Sequence, residues 1–174
     1  MKTIYHAKGP QKKAGVEILI SDNLDFKTET VVRDVEGHNI IFKGSIQEEN
    51  LTIVNIYASN MGATNYINQQ ITKIKKHTDN NTLIVGDFNT SFTAIERSSM
   101  QKISKEIRVL NDTLNEMDFV DIYRTFHSKT TEYSFFSSVH GTFSKIDHIL
   151  GHKSGLNQYQ EIGIIPAHFW TMML

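Results

Sequence analysis

The chain has 174 residues, enough for one domain with a sizeable core. With 39% hydrophobic and 21% charged residues, a net charge of −1 and no cysteine, its composition is that of an ordinary globular protein. That balance excludes a global basic field for nucleic acid, disulfides, a thiol nucleophile and a zinc–thiolate centre.

Taken in chain order, MKTIYHAKGPQKK is polar and basic with no apolar core behind it, which argues against a signal peptide. No apolar run approaches membrane-spanning length. With no cysteine either, a nuclear or cytoplasmic location is expected. Residues 1–13 read as polar, with a turn at Gly9-Pro10 and a small solvated cluster of Lys8, Lys12 and Lys13. From Ala14 to Ser21, Val16, Ile18 and Ile20 alternate with other residues and predict a strand with one apolar face. Lys27–Arg33, Asn39–Ile46 and Leu51–Tyr57 follow as strands separated by short polar turns, the rhythm of an antiparallel meander.

The pattern changes after Tyr57. Thr64 is a suitable N-cap for a helix in which Ile67, Ile71 and Ile74 form one stripe, with Lys73, Lys75 and Lys76 outside it. Leu83, Ile84 and Val85 then predict a buried strand, ended by Gly86. A second helix is predicted over Ile103–Met117, with Ser98 and Gln101 spaced as a capping box. Phe119–Tyr123 reads as a short strand or turn. Glu132–Ser138 and Thr142–Leu150 read as two strands joined at a Val139-His140-Gly141 tip. Strands, then helices between strands, then strands again indicate an α+β layered sandwich.

Asp87 and Asn89 lie just past the Leu83–Val85 strand, two residues apart, with Phe88 turned into the core between them. A carboxylate and a carboxamide there offer a charged acceptor and a neutral donor/acceptor, a pair suited to a phosphate and an attacking water. Taken by itself, the pair is equally a polar turn after a core strand. His148 and His152 read as surface histidines.

Seven stretches occur in one order: KKAGVEILIS, EGHNIIFKGSI, LTIVNIYASN, LIVGDFNTS, FVDIYRTFH, TEYSFFS and FSKIDHI. Together they resemble the endonuclease/exonuclease/phosphatase superfamily, the fold of pancreatic deoxyribonuclease and the apurinic-site endonucleases. The resemblance is closer still to the endonuclease domain of long interspersed element (LINE) retrotransposons. It implies a four-layered α/β/β/α sandwich that hydrolyses DNA phosphodiesters with Mg²⁺ and no covalent intermediate. It also implies roles for single residues. Asp87 is the carboxylate beside the water or leaving group, Asn89 the neutral phosphate-side ligand, and both belong to the metal site. Tyr57 donates its hydroxyl to a phosphate oxygen, and Asp147 orients a catalytic histidine. Arg97, Ser134 and His140 fall where the retrotransposon enzymes contact DNA, His140 at the hairpin tip that reads the target.

The family also carries an asparagine and a metal-binding glutamate upstream of anything matching this chain, and a Ser-Asp-His triplet near its end. After Asp147 this chain has no aspartate, and its lone His168 has no acidic neighbour. The expectation is a sandwich incomplete at both termini, with residues 1–150 a partial domain and 151–174 a divergent tail. Its activity is expected to be lost. A second reading, from another class, is a non-catalytic retrotransposon-derived remnant that at most binds nucleic acid or a partner weakly.

Overall fold

The computed structural model describes residues 2–10, 14–129 and 132–164. Lys12, Lys13 and His168 of the sequence reading lie outside them. The strands are β1 (Lys2–Lys8), β2 (Gly15–Ser21), β3 (Phe26–Arg33), β4 (Asn39–Ile46), β5 (Glu49–Tyr57), β6 (Thr82–Asp87), β7 (Phe119–Asp121), β8 (Phe135–Ser137), β9 (Thr142–Ser144) and β10 (Asp147–His152). The helices are α1 (Ala63–Ile74), α2 (Lys105–Glu116) and the short α3 (Ile122–Phe126).

Six strands form the central sheet in the order β3-β4-β5-β6-β10-β7. The β5–α1–β6 unit is the crossover that makes β5 and β6 parallel within an otherwise antiparallel sheet. One face of the sheet carries α1 and α2. Ile67, Ile71 and Ile74 of α1 and Leu110 and Leu114 of α2 pack there on Val54, Ile56, Ile84 and Leu150. The other face of β4 carries the β1–β2 hairpin, where Ala7, Val16, Ile18 and Ile20 close on Ile40 and Phe42. The result is a layered mixed α/β fold.

Several local expectations are corrected. Lys2–Lys8 is a strand, not a polar lead-in: β1 pairs with β2 along its whole length. The meander is therefore β3-β4-β5, and β2 stands outside it. The reason is partnership, since a polar, lysine-bearing strand is stable once a neighbour supplies its ladder. Thr64 does not cap α1; Gly62, at φ 73°, holds that position. The Thr64 hydroxyl instead meets that of Thr90 at 2.9 Å. Helix α2 is capped by Ser104, which accepts from the Ile107 N–H at 3.3 Å, and not by a Ser98–Gln101 box. Thr142–Leu150 is broken at Lys145-Ile146, where the Lys145 side chain turns into a buried ionic cluster and the sheet partner changes.

Candidate active site

The alternation of β5, β6 and β10 decides which residues can meet. Val54, Ile56, Ile84 and Leu150 face the helices. Tyr57, Asp87 and Asp147 therefore emerge on the opposite face. Register aligns them as well. Tyr57 is paired with Asp87 in the parallel ladder, and Asp147 with Asp87 in the antiparallel one. The three form one row across three adjacent strand ends. The residue before Asp87 must be glycine: Gly86 has φ +138°, and a β-carbon there would lie 1.9 Å from the Ile56 carbonyl oxygen.

Asn89 follows in a left-handed conformation at φ 47°. Its backbone N–H donates to Asp87 Oδ1 at 3.0 Å, and its Nδ2 donates to the Ala58 carbonyl at 2.7 Å. With Nδ2 turned to the Ala58 carbonyl, the Asn89 side-chain oxygen has no hydrogen-bond partner among the described residues and can accept or ligate. Burial raises the Asp87 pKa, the Asn89 N–H opposes that shift, and the carboxylate of Asp147 adds to it. Two carboxylates so placed repel, and a divalent cation beside Asp87 and Asn89 would relieve that repulsion. The donor set, a carboxylate and a carboxamide oxygen, is of the hard kind that a divalent oxygen-seeking cation takes.

The other sequence-predicted residues divide between two neighbouring places. Arg97 and His140 join Asn89 in lining a groove of about 830 Å³ together with Asn60, Phe135 and Phe136. The hairpin tip is where expected, between β8 and β9. Arg97 bridges to Ser144, and Ser98 exchanges hydrogen bonds with Phe143 (N–H to carbonyl and N–H to Oγ, both 2.9 Å), so that loop continues the hairpin's small sheet. The Ser134 hydroxyl accepts from the backbone N–H groups of Ile146 (3.1 Å) and Asp147 (3.3 Å). Ser134 thus holds the start of β10 and so the placement of Asp147.

His148 is the clear correction. It is not a surface histidine: its side chain is 0% exposed, stacked on Phe92 with centroids 3.9 Å apart. Its Nε2 donates to the Thr90 carbonyl at 2.8 Å, and Nδ1 meets Asp121 Oδ2 at 2.7 Å. Ile146, His148 and Leu150 share one phase of the alternation, and that period-two signal was available in the sequence. His152, at the strand's end, is half-buried beside Ser154. Around His148 lies a buried ionic cluster that sequence reasoning missed. Lys145 Nζ sits 2.6 Å from Asp121 and 3.7 Å from Glu96, and Arg124 lies 3.4 Å from Glu96. Glu96 Oε2 accepts from the N–H groups of Phe92 (2.7 Å) and Thr93 (3.0 Å). Glu96, Asp121 and His148 bring ligand atoms within 4.8 Å of one another, but the Lys145 ammonium already supplies the cation at their centre. The cluster pins residues 88–97, the loop that carries Asn89 and Arg97, from behind.

Residues 3–168 match the sequence profile of the Endonuclease/Exonuclease/phosphatase family. The fold is similar to the endonuclease domain of TRAS1, a telomere-specific non-LTR retrotransposon, at TM-score 0.63 and 13% identity, covering 90% of this chain and 69% of that one. It is also similar to the AP endonuclease LMAP from Leishmania major, at TM-score 0.67 and 14% identity, covering 90% and 63%. A third similar structure is the 3'-5' exonuclease NExo from Neisseria meningitidis, at TM-score 0.63 and 16% identity, covering 91% and 70%. The chain therefore spans between 63% and 70% of the length of these three.

Proposed function

The chain belongs to the endonuclease/exonuclease/phosphatase family and descends from phosphodiester-cleaving enzymes, and from that premise we propose that its row of strand-end residues is the phosphate-binding part of a Mg²⁺-dependent DNA endonuclease site of the LINE retrotransposon type. The observation that carries this reading is the register that sets Tyr57, Asp87 and Asp147 side by side on one face. In it, Asp87 and Asn89 hold the metal, which would neutralise charge on the phosphate and the leaving oxygen. The Tyr57 hydroxyl donates to a non-bridging oxygen, a donor aimed where negative charge grows. Asp87 also orients the attacking water by accepting a hydrogen bond from its O–H. Arg97 and His140 meet the DNA backbone along the groove beside Asn89.

The 174 residues by themselves are expected to nick DNA poorly. Among the described residues, no histidine is hydrogen-bonded to the Asp147 carboxylate, and no glutamate shares the metal position with Asp87. General acid–base catalysis is worth about 10²- to 10⁴-fold, and both losses fall on it or on the metal. They need not multiply, because members of a catalytic unit are non-additive. A single carboxylate leaves Mg²⁺ mostly hydrated, so the metal binds weakly. The test is a supercoiled-plasmid nicking assay with Mg²⁺ that compares the chain with Asp87→Ala. A slow rate or none is expected from both. Efficient nicking by the parent that vanishes in the variant would overturn the attenuated-site reading and leave an active nuclease.

A further inference from the structure

His38 stands in the same row as the strand-end residues, one strand further out. Its carbonyl accepts the Tyr57 N–H at 2.8 Å, so it flanks Tyr57 on the side away from Asp87. The imidazole lies nearly parallel to the Tyr57 ring, with centroids 5.7 Å apart and planes 9° apart. Tyr66 of α1 closes on it at 5.4 Å. Nδ1 lies 3.1 Å from the Tyr57 carbonyl oxygen. That oxygen only accepts, so Nδ1 carries the proton and Nε2 is the nitrogen left over. Among the described residues, neither His38 Nε2 nor the Tyr57 hydroxyl has a hydrogen-bond partner. Two ring-borne polar groups thus stand side by side and unused at the end of the sheet.

The row is otherwise short of positive charge. Tyr57, Asp87 and Asp147 bring a phenol and two carboxylates, and a phosphodiester brings further negative charge. Resting on the DNA reading above, we propose that His38 is a phosphate-contacting residue of this site. Its protonated ring donates Nε2–H to an oxygen of the DNA backbone beside the one that meets Tyr57. Three elements pack against His38 and bring the groups around it. In the β3–β4 turn, Asp34 Oδ2 accepts the His38 backbone N–H at 3.0 Å, and Asp34 and Glu36 both act on the neighbouring Tyr66. From β5 come the Tyr57 ring and its carbonyl oxygen. From α1 comes Tyr66, whose phenol is pushed up to about 12 by burial and stays neutral.

The experiment measures the affinity of the 174-residue chain for a fluorescently labelled DNA duplex in EDTA at low salt, at pH 8 and pH 6. Asp87→Asn is present throughout, so that protonation of Asp87 does not contribute. Binding is expected to tighten roughly tenfold at pH 6, as a charge-assisted hydrogen bond forms. The salt slope should steepen by about one phosphate contact. His38→Phe keeps the stacked ring and should lose both gains; His38→Gln, smaller and neutral, is the second variant and should behave alike. If parent and variants gain equally, the assignment is overturned and the nuclease reading stands. If the parent binds DNA at neither pH, both fall.

Discussion

At the scale of single residues, Asp87 is held in an environment that disfavours its charge. Burial and the facing Asp147 carboxylate raise its pKa, and the Asn89 N–H only partly offsets them. An acid with a raised folded pKa binds more protons folded than unfolded across the window between its ordinary and raised values. Stability therefore falls as pH rises through that window, and the charge remains a cost at neutral pH. Asp87→Asn is accordingly expected to raise the melting temperature at pH 7 while removing the carboxylate proposed to bind the metal. Thermal unfolding of parent and variant checks this, and a lower midpoint in the variant would show that the charge is stabilised after all. The trade is the common one between a functional charge and stability. His148 shows the opposite case: a polar side chain fully buried because each of its ring nitrogens has a partner.

At the scale of elements, the site depends on how closely β5 and β6 approach. Gly86 permits this, because the Ile56 carbonyl occupies the space a side chain would need. Gly86→Ala would meet both a backbone clash and a positive φ, itself worth about 1–3 kcal/mol. A loss of about 3 kcal/mol or more is expected, read as a lower urea midpoint at an unchanged m-value. An unchanged midpoint would mean the two strand ends are not as close as the register requires. The helices matter less directly. Ser104 and the Ile107, Leu110 and Leu114 stripe fix α2 on the sheet. Asn111 Nδ2 then donates to the Phe92 carbonyl at 2.9 Å, tying the helix to the loop beneath the groove.

At the scale of the whole molecule, the ionic cluster joins segments far apart in sequence: the 88–97 loop, β7, α3 and the start of β10. Burial of Asp121 would raise its pKa, but the hydrogen bond and charge of His148 and the Lys145 ammonium outweigh it and hold it down to about 2. A depressed carboxylate contributes stability that is complete above its ordinary pKa of about 4 and is lost as pH falls toward its folded value. The chain is therefore expected to lose roughly 2 kcal/mol between about pH 4 and pH 2 from this group. Asp121→Asn should remove that slope. It should also cost about 3–5 kcal/mol at pH 6 by leaving Lys145 without its closest partner. Urea midpoints measured across the acid range decide it, and an identical acid slope in the variant would dissociate Asp121 from the effect.

Much of this molecule is legible in local sequence. Period-two alternation marks β2, an unbroken apolar run marks β6, and the isoleucine and leucine stripes mark α1 and α2, because the number of buried faces imposes its period on the chain. Gly86-Asp87-Phe88-Asn89 announces itself for a similar reason: a glycine, two polar residues and a core aromatic each meet a steric or chemical demand within four positions. Local signals did not reveal β1, whose lysine-bearing sequence becomes a strand only beside β2. Nor did they reveal the true caps at Gly62 and Ser104, since several hydroxyl residues competed and the helix axis chose among them. The partners of His148 and His38 lay furthest out of reach. Asp121 is 27 residues from His148, and Tyr57 is 19 from His38. Sequence determined which residues are able to carry charge, stack or turn; the sheet's register and the packing of its two faces decided which of them meet, because contact between strands depends on alignment that no single segment encodes.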